Sequence, residues 1–183
     1  TQTVANTVLS QKETDVTKLL SVESANGGTI EAARHEAVLQ LGENIQIARA
    51  EYIQTPEGYI CGYAHNDGLC VAVAISVDNE EVGRNIAMHV AASNPAAIKD
   101  TDIPQSLLEE EKSIYLKQLQ DSKKPEDIVN KIVDGKMKKF AAGLCLYGQA
   151  YVKDPKQSVA EYLQSNGCDV HSMSRFALGE SIA

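Results

Sequence analysis

The chain has 183 residues, 43% of them hydrophobic and 23% charged, enough for one soluble domain or two small subdomains sharing a core. Lys and Arg number 17 against 25 Asp and Glu, so the net charge is −8, and there is no Trp and only 5% aromatic content. That balance argues against a nucleic-acid surface, which needs a basic stripe, and suits a basic protein partner or simply staying in solution.

Residues 4–20 read as helical. Val4, Val8 and Leu9 cluster on one side, and Thr14-Asp15 offers a fresh N-cap before Val16, Leu19 and Leu20. Asn26-Gly27-Gly28 is a break. Thr29 then caps a second helix bearing Ile30, Ala33, Ala37, Val38 and Leu41, and Gly42 is placed to end it in left-handed geometry. From Ile45 the period changes: Ile45, Ile47 and Arg49 alternate with Gln46 and Ala48, and Tyr52-Ile53 follow, which predicts a strand. Thr55-Pro56-Glu57-Gly58 is a turn, residues 59–64 a second strand, and His65-Asn66-Asp67-Gly68 a second turn. Leu69, Val71, Val73, Ile75 and Val77 alternate with Cys70, Ala72, Ala74 and Ser76, as expected of a strand covered on both faces. The short loops between these strands imply antiparallel pairing.

Val82, Ile86 and Val90 recur at i, i+4 and i+8, one apolar stripe of a buried helix. Ala87, Ala91 and Ala92 keep that helix thin, and Pro95 should end it at Asn94. Asp102 is read as the cap of a further helix from Ile103 to about Gln120, with Leu107, Leu108, Ile114, Tyr115 and Leu119 at near-heptad spacing. Lys123-Lys124-Pro125 punctuates it. The next helix opens on Pro125 and carries Val129, Ile132, Val133, Met137 and Phe140. The two should form an antiparallel hairpin whose apolar stripe needs cover from the body or from a second copy. Strand character returns at Leu144, Leu146 and Ala150-Tyr151-Val152, around a break at Gly148. Ser158-Val159-Ala160-Glu161 fits a capping box for a short helix ending at Asn166-Gly167, and residues 170–178 form a last strand. The pattern predicts an α+β fold with a discontinuous second half and an inserted helical hairpin.

Signals for covalent or metal chemistry are absent from this sequence. There is no phosphate loop, dinucleotide fingerprint, zinc-protease motif or nucleophile elbow. Cys61, Cys70, Cys145 and Cys168 lack Cys-x-x-Cys spacing and read as free buried thiols in a reducing compartment. His35, His65, His89 and His171 are dispersed; His89 reads as a satisfied core or boundary histidine, and His65 stands on a turn tip, where binding residues collect. Cys61 or Cys70 with His65 could pair as nucleophile and base, but no third orienting group is evident. No apolar run is long enough for a membrane span and no signal peptide is visible; the first residue, Thr1, reads as a trimmed or processed N-terminus.

One string is more specific than its periodicity. Ile86-Ala87-Met88-His89-Val90-Ala91-Ala92-Ser93-Asn94-Pro95 resembles the central signature of bacterial and organellar elongation factor Ts. Four further stretches resemble that family in the same order. These are Leu41-Gly42-Glu43-Asn44-Ile45, Gly62-Tyr63-Ala64-His65, Lys124-Pro125 with Ile132-Val133-Asp134-Gly135-Lys136-Met137-Lys138-Lys139-Phe140, and Leu146-Tyr147-Gly148-Gln149-Ala150-Tyr151-Val152-Lys153-Asp154-Pro155. The resemblance implies two small subdomains with antiparallel sheets packed by helices. The first spans 1–58, the second 59–97 and 147–183, and a helical hairpin over 98–146 forms a coiled-coil dimerisation module.

It implies a translation factor for protein biosynthesis: a guanine nucleotide exchange factor that binds elongation factor Tu, promotes GDP release and performs no covalent catalysis. No cofactor, metal, nucleic acid or membrane is implied. The positions matching the partner contacts are Leu41, Gly42, His65 and Val152; Gly148, Gln149 and Tyr151 flank the last of them. Homodimerisation would run through Leu107, Leu108, Ile114, Tyr115, Val129, Ile132 and Val133. The location would be a bacterial cytoplasm or an organelle matrix or stroma. The family's N-terminal helical bundle and its Thr-Asp-Phe-Val wedge have no match here, since Thr14-Asp15-Val16 lacks the Phe. The further C-terminal helix of some members has no match either. Binding with reduced exchange is therefore expected. The alternative is a self-associating structural module without exchange activity.

Overall fold

The computed structural model describes residues 1–24, 27–120 and 125–180. The break expected at Asn26 and the punctuation at Lys123-Lys124 lie outside them. The chain divides into two units, one made of Thr1–Gln54 with Glu180 and the other of Thr55–Gly179.

In the first unit, α1 (Gln2–Gln11) stops where Lys12 turns left-handed. α2 (Val16–Ser21) starts on Asp15, whose carboxylate accepts from the N–H groups of Thr17 and Lys18. α3 (Ile30–Leu41) starts on Thr29, whose hydroxyl accepts from Ala32 N–H. Each cap satisfies amides that the first helical turn would otherwise leave unpaired. Leu19 and Ile30 anchor the unit's interior. The strand expected over 45–53 does not form: the backbone there is irregular, and no neighbouring strand among the described residues offers it a ladder. Its alternation is still visible as burial, with Ile45, Ile47 and Arg49 half-buried and Gln46 and Ala48 exposed. The period reported which side faces inward, not hydrogen bonding.

In the second unit, β1 (Tyr59–His65) and β2 (Leu69–Ile75) pair antiparallel, and β5 (Val170–Ala177) adds to the other edge of β2. α4 (Glu80–Ser93) lies on this sheet. Val82, Ile86 and Val90 are buried with Val71, Val73, Ile75 and Cys61 in one core. Burying each such aliphatic side chain contributes about 1.5–3 kcal/mol, so this stripe is the unit's main adhesive. β2 is covered on the α4 face, but its other face is closed only at the far end: Ala74 is buried, Ala72 half-buried and Cys70 exposed. α4 ends at Asn94, left-handed at φ 45°, immediately before Pro95. Ala87 and Ala91 are buried as expected, whereas Ala92 is exposed.

After α4 the chain makes a 3-10 turn (Asp100–Asp102), and α5 covers Gln105–Leu119. Asp102 is not the cap of α5. Its carboxylate accepts from Lys99 N–H, and Pro104 occupies the N-cap. The reason is steric: the residue before a proline is pushed out of helical geometry, and Ile103 is extended (φ −71°, ψ 128°). α6 (Glu126–Leu144) returns antiparallel to α5, with Ile103 packed near Leu144 at one end and Lys136 over the Tyr115 ring further along. Leu144 closes this helix and Leu146–Gly148 is a 3-10 turn, so strand character begins later than the sequence suggested. β3 (Ala150–Tyr151) and β4 (Asp154–Ser158) form a second antiparallel sheet. α7 (Val159–Ser165) opens on the expected capping box between Ser158 and Glu161. The architecture is α+β with two antiparallel sheets.

Candidate functional site

In the first unit, the end of α3 carries Leu41 and Gly42. Gly42 takes φ 69°, and its N–H donates to Val38 carbonyl at 2.9 Å, closing the helix. Only glycine adopts that conformation without strain. The Arg34 guanidinium bonds Glu31 and also donates to Ile45 carbonyl at 2.8 Å, pinning the chain just beyond the cap. On this fixed end Leu41 is 66% exposed.

In the second unit, His65 ends β1 and is exposed. Its Nδ1 lies 3.2 Å from Tyr63 Oη, and the two rings stack. Val152 opens the two-residue turn between β3 and β4, since Tyr151 pairs with Asp154, and it is 44% exposed. Val152 N–H donates to His89 Nδ1 at 3.2 Å, and Lys153 Nζ donates to Asn85 Oδ1 at 2.5 Å. Both acceptors stand on α4, four residues apart and so on one helix face.

The flanking residues have structural duties. A Cβ on Gly148 would sit 2.6 Å from Ala142 carbonyl oxygen, so only glycine lets this turn close against the end of α6. Gln149 bonds His89 Nε2 at 2.9 Å and Gly143 carbonyl at 2.8 Å. Tyr151 is buried, stacked 4.4 Å from Tyr162, and burial pushes its phenol well above the usual range. Tyr147 donates to Asp169 at 2.8 Å and accepts from Val170 N–H; burial raises its phenol to about 12. Burial likewise holds His89 below the ordinary imidazole range, against the opposing pull of the Gln149 bond.

Gly148, Gln149, Tyr151 and Val152 thus gather beside His89. His65 is held separately by Tyr63, and Leu41 and Gly42 belong to the other unit. His89 matches its reading as a satisfied core histidine, but its partners lie sixty or more residues away and no local pattern announced them. Asn85 and Lys153 were missed for the same reason.

On the hairpin, Val133 is buried within the chain, and Leu108, Tyr115, Val129 and Ile132 are half-buried. Leu107, Ile114 and Leu116 on α5 and Ile128 on α6 are exposed to solvent. The thiol–imidazole pairings are not assembled. Cys70 stands opposite Ala64 in the register and so points to the sheet face away from His65. Cys61 shares the face of His65 but lies four residues along the strand, roughly 13 Å away. It is buried, and burial raises its thiol. Among the described residues, no group of three or more His, Cys, Asp or Glu side chains converges as a metal site would, and no helix is long and apolar enough to cross a membrane.

Each unit holds apolar or imidazole side chains outward on fixed ends and turns: Leu41 in the first, His65 and Val152 in the second. The chain belongs to the elongation factor Ts family: the family model described as Elongation factor TS matches residues 1–180. It is 39% identical over 168 residues to the elongation factor Ts of Ruthia magnifica subsp. Calyptogena magnifica, covering 92% of this chain and 57% of that protein. Against those of Hydrogenovibrio crunogenus and Methylococcus capsulatus it is 38% identical over 179 residues, covering 98% of this chain and 60% and 61% of the relatives. The chain therefore spans about three fifths of the length of these relatives.

Proposed function

We propose that this chain acts in translation elongation as the part of a guanine nucleotide exchange factor that grips elongation factor Tu. Family membership supplies the class. The observation that carries the reading is the presentation of Leu41, His65 and Val152: each is exposed, and each is fixed by a cap or hydrogen bond rather than left on a loose loop. Such groups bind with little ordering cost. Gly42 shapes the Leu41 end, and Gly148, Gln149 and Tyr151 shape the Val152 turn.

No covalent step is needed. An exchange factor binds the nucleotide-free partner more tightly than the nucleotide-bound one, and that difference drives release. Accelerating release a thousandfold takes about 4 kcal/mol of barrier lowering. We assign this chain affinity for and orientation on elongation factor Tu. The place of action is then wherever elongation factor Tu works, a bacterial cytoplasm or an organelle interior. Titration of the chain into nucleotide-free and GDP-loaded elongation factor Tu tests the reading. Tighter binding to the nucleotide-free form is expected; equal affinity would overturn it.

A second reading, self-association through the hairpin, is favoured by the solvent-facing Leu107 and Ile114. It is compatible with the first, because both residues lie on α5, distant in sequence from Leu41, His65 and Val152.

A further inference from the structure

Three hydrogen bonds run in one direction between the β3–β4 turn, α4 and α6. A backbone N–H can only donate, so Val152 N–H, 3.2 Å away, fixes His89 Nδ1 as an acceptor. The imidazole is therefore neutral, with its proton on Nε2, which donates to Gln149 Oε1 at 2.9 Å. That in turn orients the Gln149 amide, whose Nε2 donates to Gly143 carbonyl at 2.8 Å. Reversing any member would set donor against donor or acceptor against acceptor. His89 has no solvent exposure, so bulk water does not compete for its ring nitrogens. One helical turn earlier, Asn85 holds Lys153 and also donates to Tyr162 Oη at 2.9 Å. α4 thus grips both residues of the turn, Val152 by its backbone and Lys153 by its side chain.

We propose that His89 is a positioning residue for partner docking: as a neutral Nδ1 acceptor backed by Gln149, it fixes the Val152 backbone and so aims the exposed Val152 side chain. The proposal rests on the reading that Val152 meets elongation factor Tu. It makes the helix of the signature string, whose apolar face packs the core, also the support of a contact made by another element.

Two substitutions separate this role from mere core filling. In His89→Asn the amide oxygen takes the place of Nδ1 and keeps an acceptor for Val152 N–H. In His89→Gln the amide nitrogen takes the place of Nε2, keeps the bond to Gln149 and leaves Val152 N–H without its acceptor. Amide exchange at Val152 is expected to stay slow in the wild type and His89→Asn, and to quicken about tenfold or more in His89→Gln, the cost of an unpaired amide. Affinity for nucleotide-free elongation factor Tu should fall about tenfold in His89→Gln and by less than about threefold in His89→Asn. Imidazole nitrogen shifts of the wild type should report the Nε2-protonated tautomer.

Equal losses in the two variants would overturn the proposal, as would a wild-type ring protonated on Nδ1. Should neither variant fold, the wild-type tautomer and Val152 protection decide alone. A wild-type chain that binds no elongation factor Tu would overturn the exchange-factor reading and the docking role together, whereas a wild type that binds while both variants bind alike would overturn this proposal only.

Discussion

Leu41 stands at the end of α3 with two thirds of its surface in water, and the glycine beyond it fixes where it points. Truncating a side chain so exposed removes little from the folded state, while an anchor of an interface is worth far more once desolvated. Leu41→Ala should therefore leave the thermal midpoint within a degree or two, about 0.5 kcal/mol, and cost about 1–2 kcal/mol of binding to elongation factor Tu by calorimetry. A stability loss with unchanged binding would place Leu41 in the core instead. His89 makes the opposite case. Burial lowers its pKa in the folded chain, so the unfolded chain takes up a proton first as pH falls. Stability is then fully present above the ordinary imidazole value of about 6.5 and declines as pH drops from there toward the lower folded value. Denaturant midpoints at pH 7.5 and pH 5.5 check this, with His89→Asn expected to lose that part of the slope. Both residues stand inside the family strings, yet only the first is free to touch a partner.

At the scale of elements, caps and stops carry much of the local order. Ser158 Oγ accepts from Glu161 N–H at 3.2 Å while Glu161 Oε2 accepts from Ser158 N–H at 2.7 Å, and α7 has only seven residues to sustain itself. Ser158→Ala should cost about 1 kcal/mol by chemical denaturation; no change would mean that packing of Val159 and Leu163 alone sets this helix. These local devices were legible in the sequence because each is written in neighbouring residues: Asp15, Thr29 and Ser158 as caps, Gly42 and Asn94-Pro95 as stops. Where the reading failed, the deciding information was not local or was outweighed. Residues 45–49 alternate in burial as the sequence pattern does, but a strand also needs a neighbour, and periodicity does not supply one. Asp102 looked like a cap until the proline two residues later set the helix start. Of the candidate site, the outward residues came from family strings, since exposed Leu, His and Val carry no local mark of function. The His89–Gln149–Gly143 chain joins positions far apart in sequence and became visible only in three dimensions.

For the whole molecule, the proposed function separates two contacts: Leu41, His65 and Val152 with elongation factor Tu, and the exposed Leu107 and Ile114 with a second copy. If the hairpin flank pairs two copies, Leu107→Glu combined with Ile114→Glu should convert a concentration-dependent dimer to monomer in sedimentation equilibrium without weakening the contact to elongation factor Tu. A wild-type monomer at every concentration would remove self-association. The net charge of −8 adds a long-range term, so association with a basic partner face should slow as salt rises. The central claim is that this chain recognises elongation factor Tu and favours its empty state. The release rate of fluorescent GDP from elongation factor Tu, with and without saturating chain, tests it most directly. Measurable acceleration of GDP release is expected. Binding with no acceleration at all, or no binding, would contradict it.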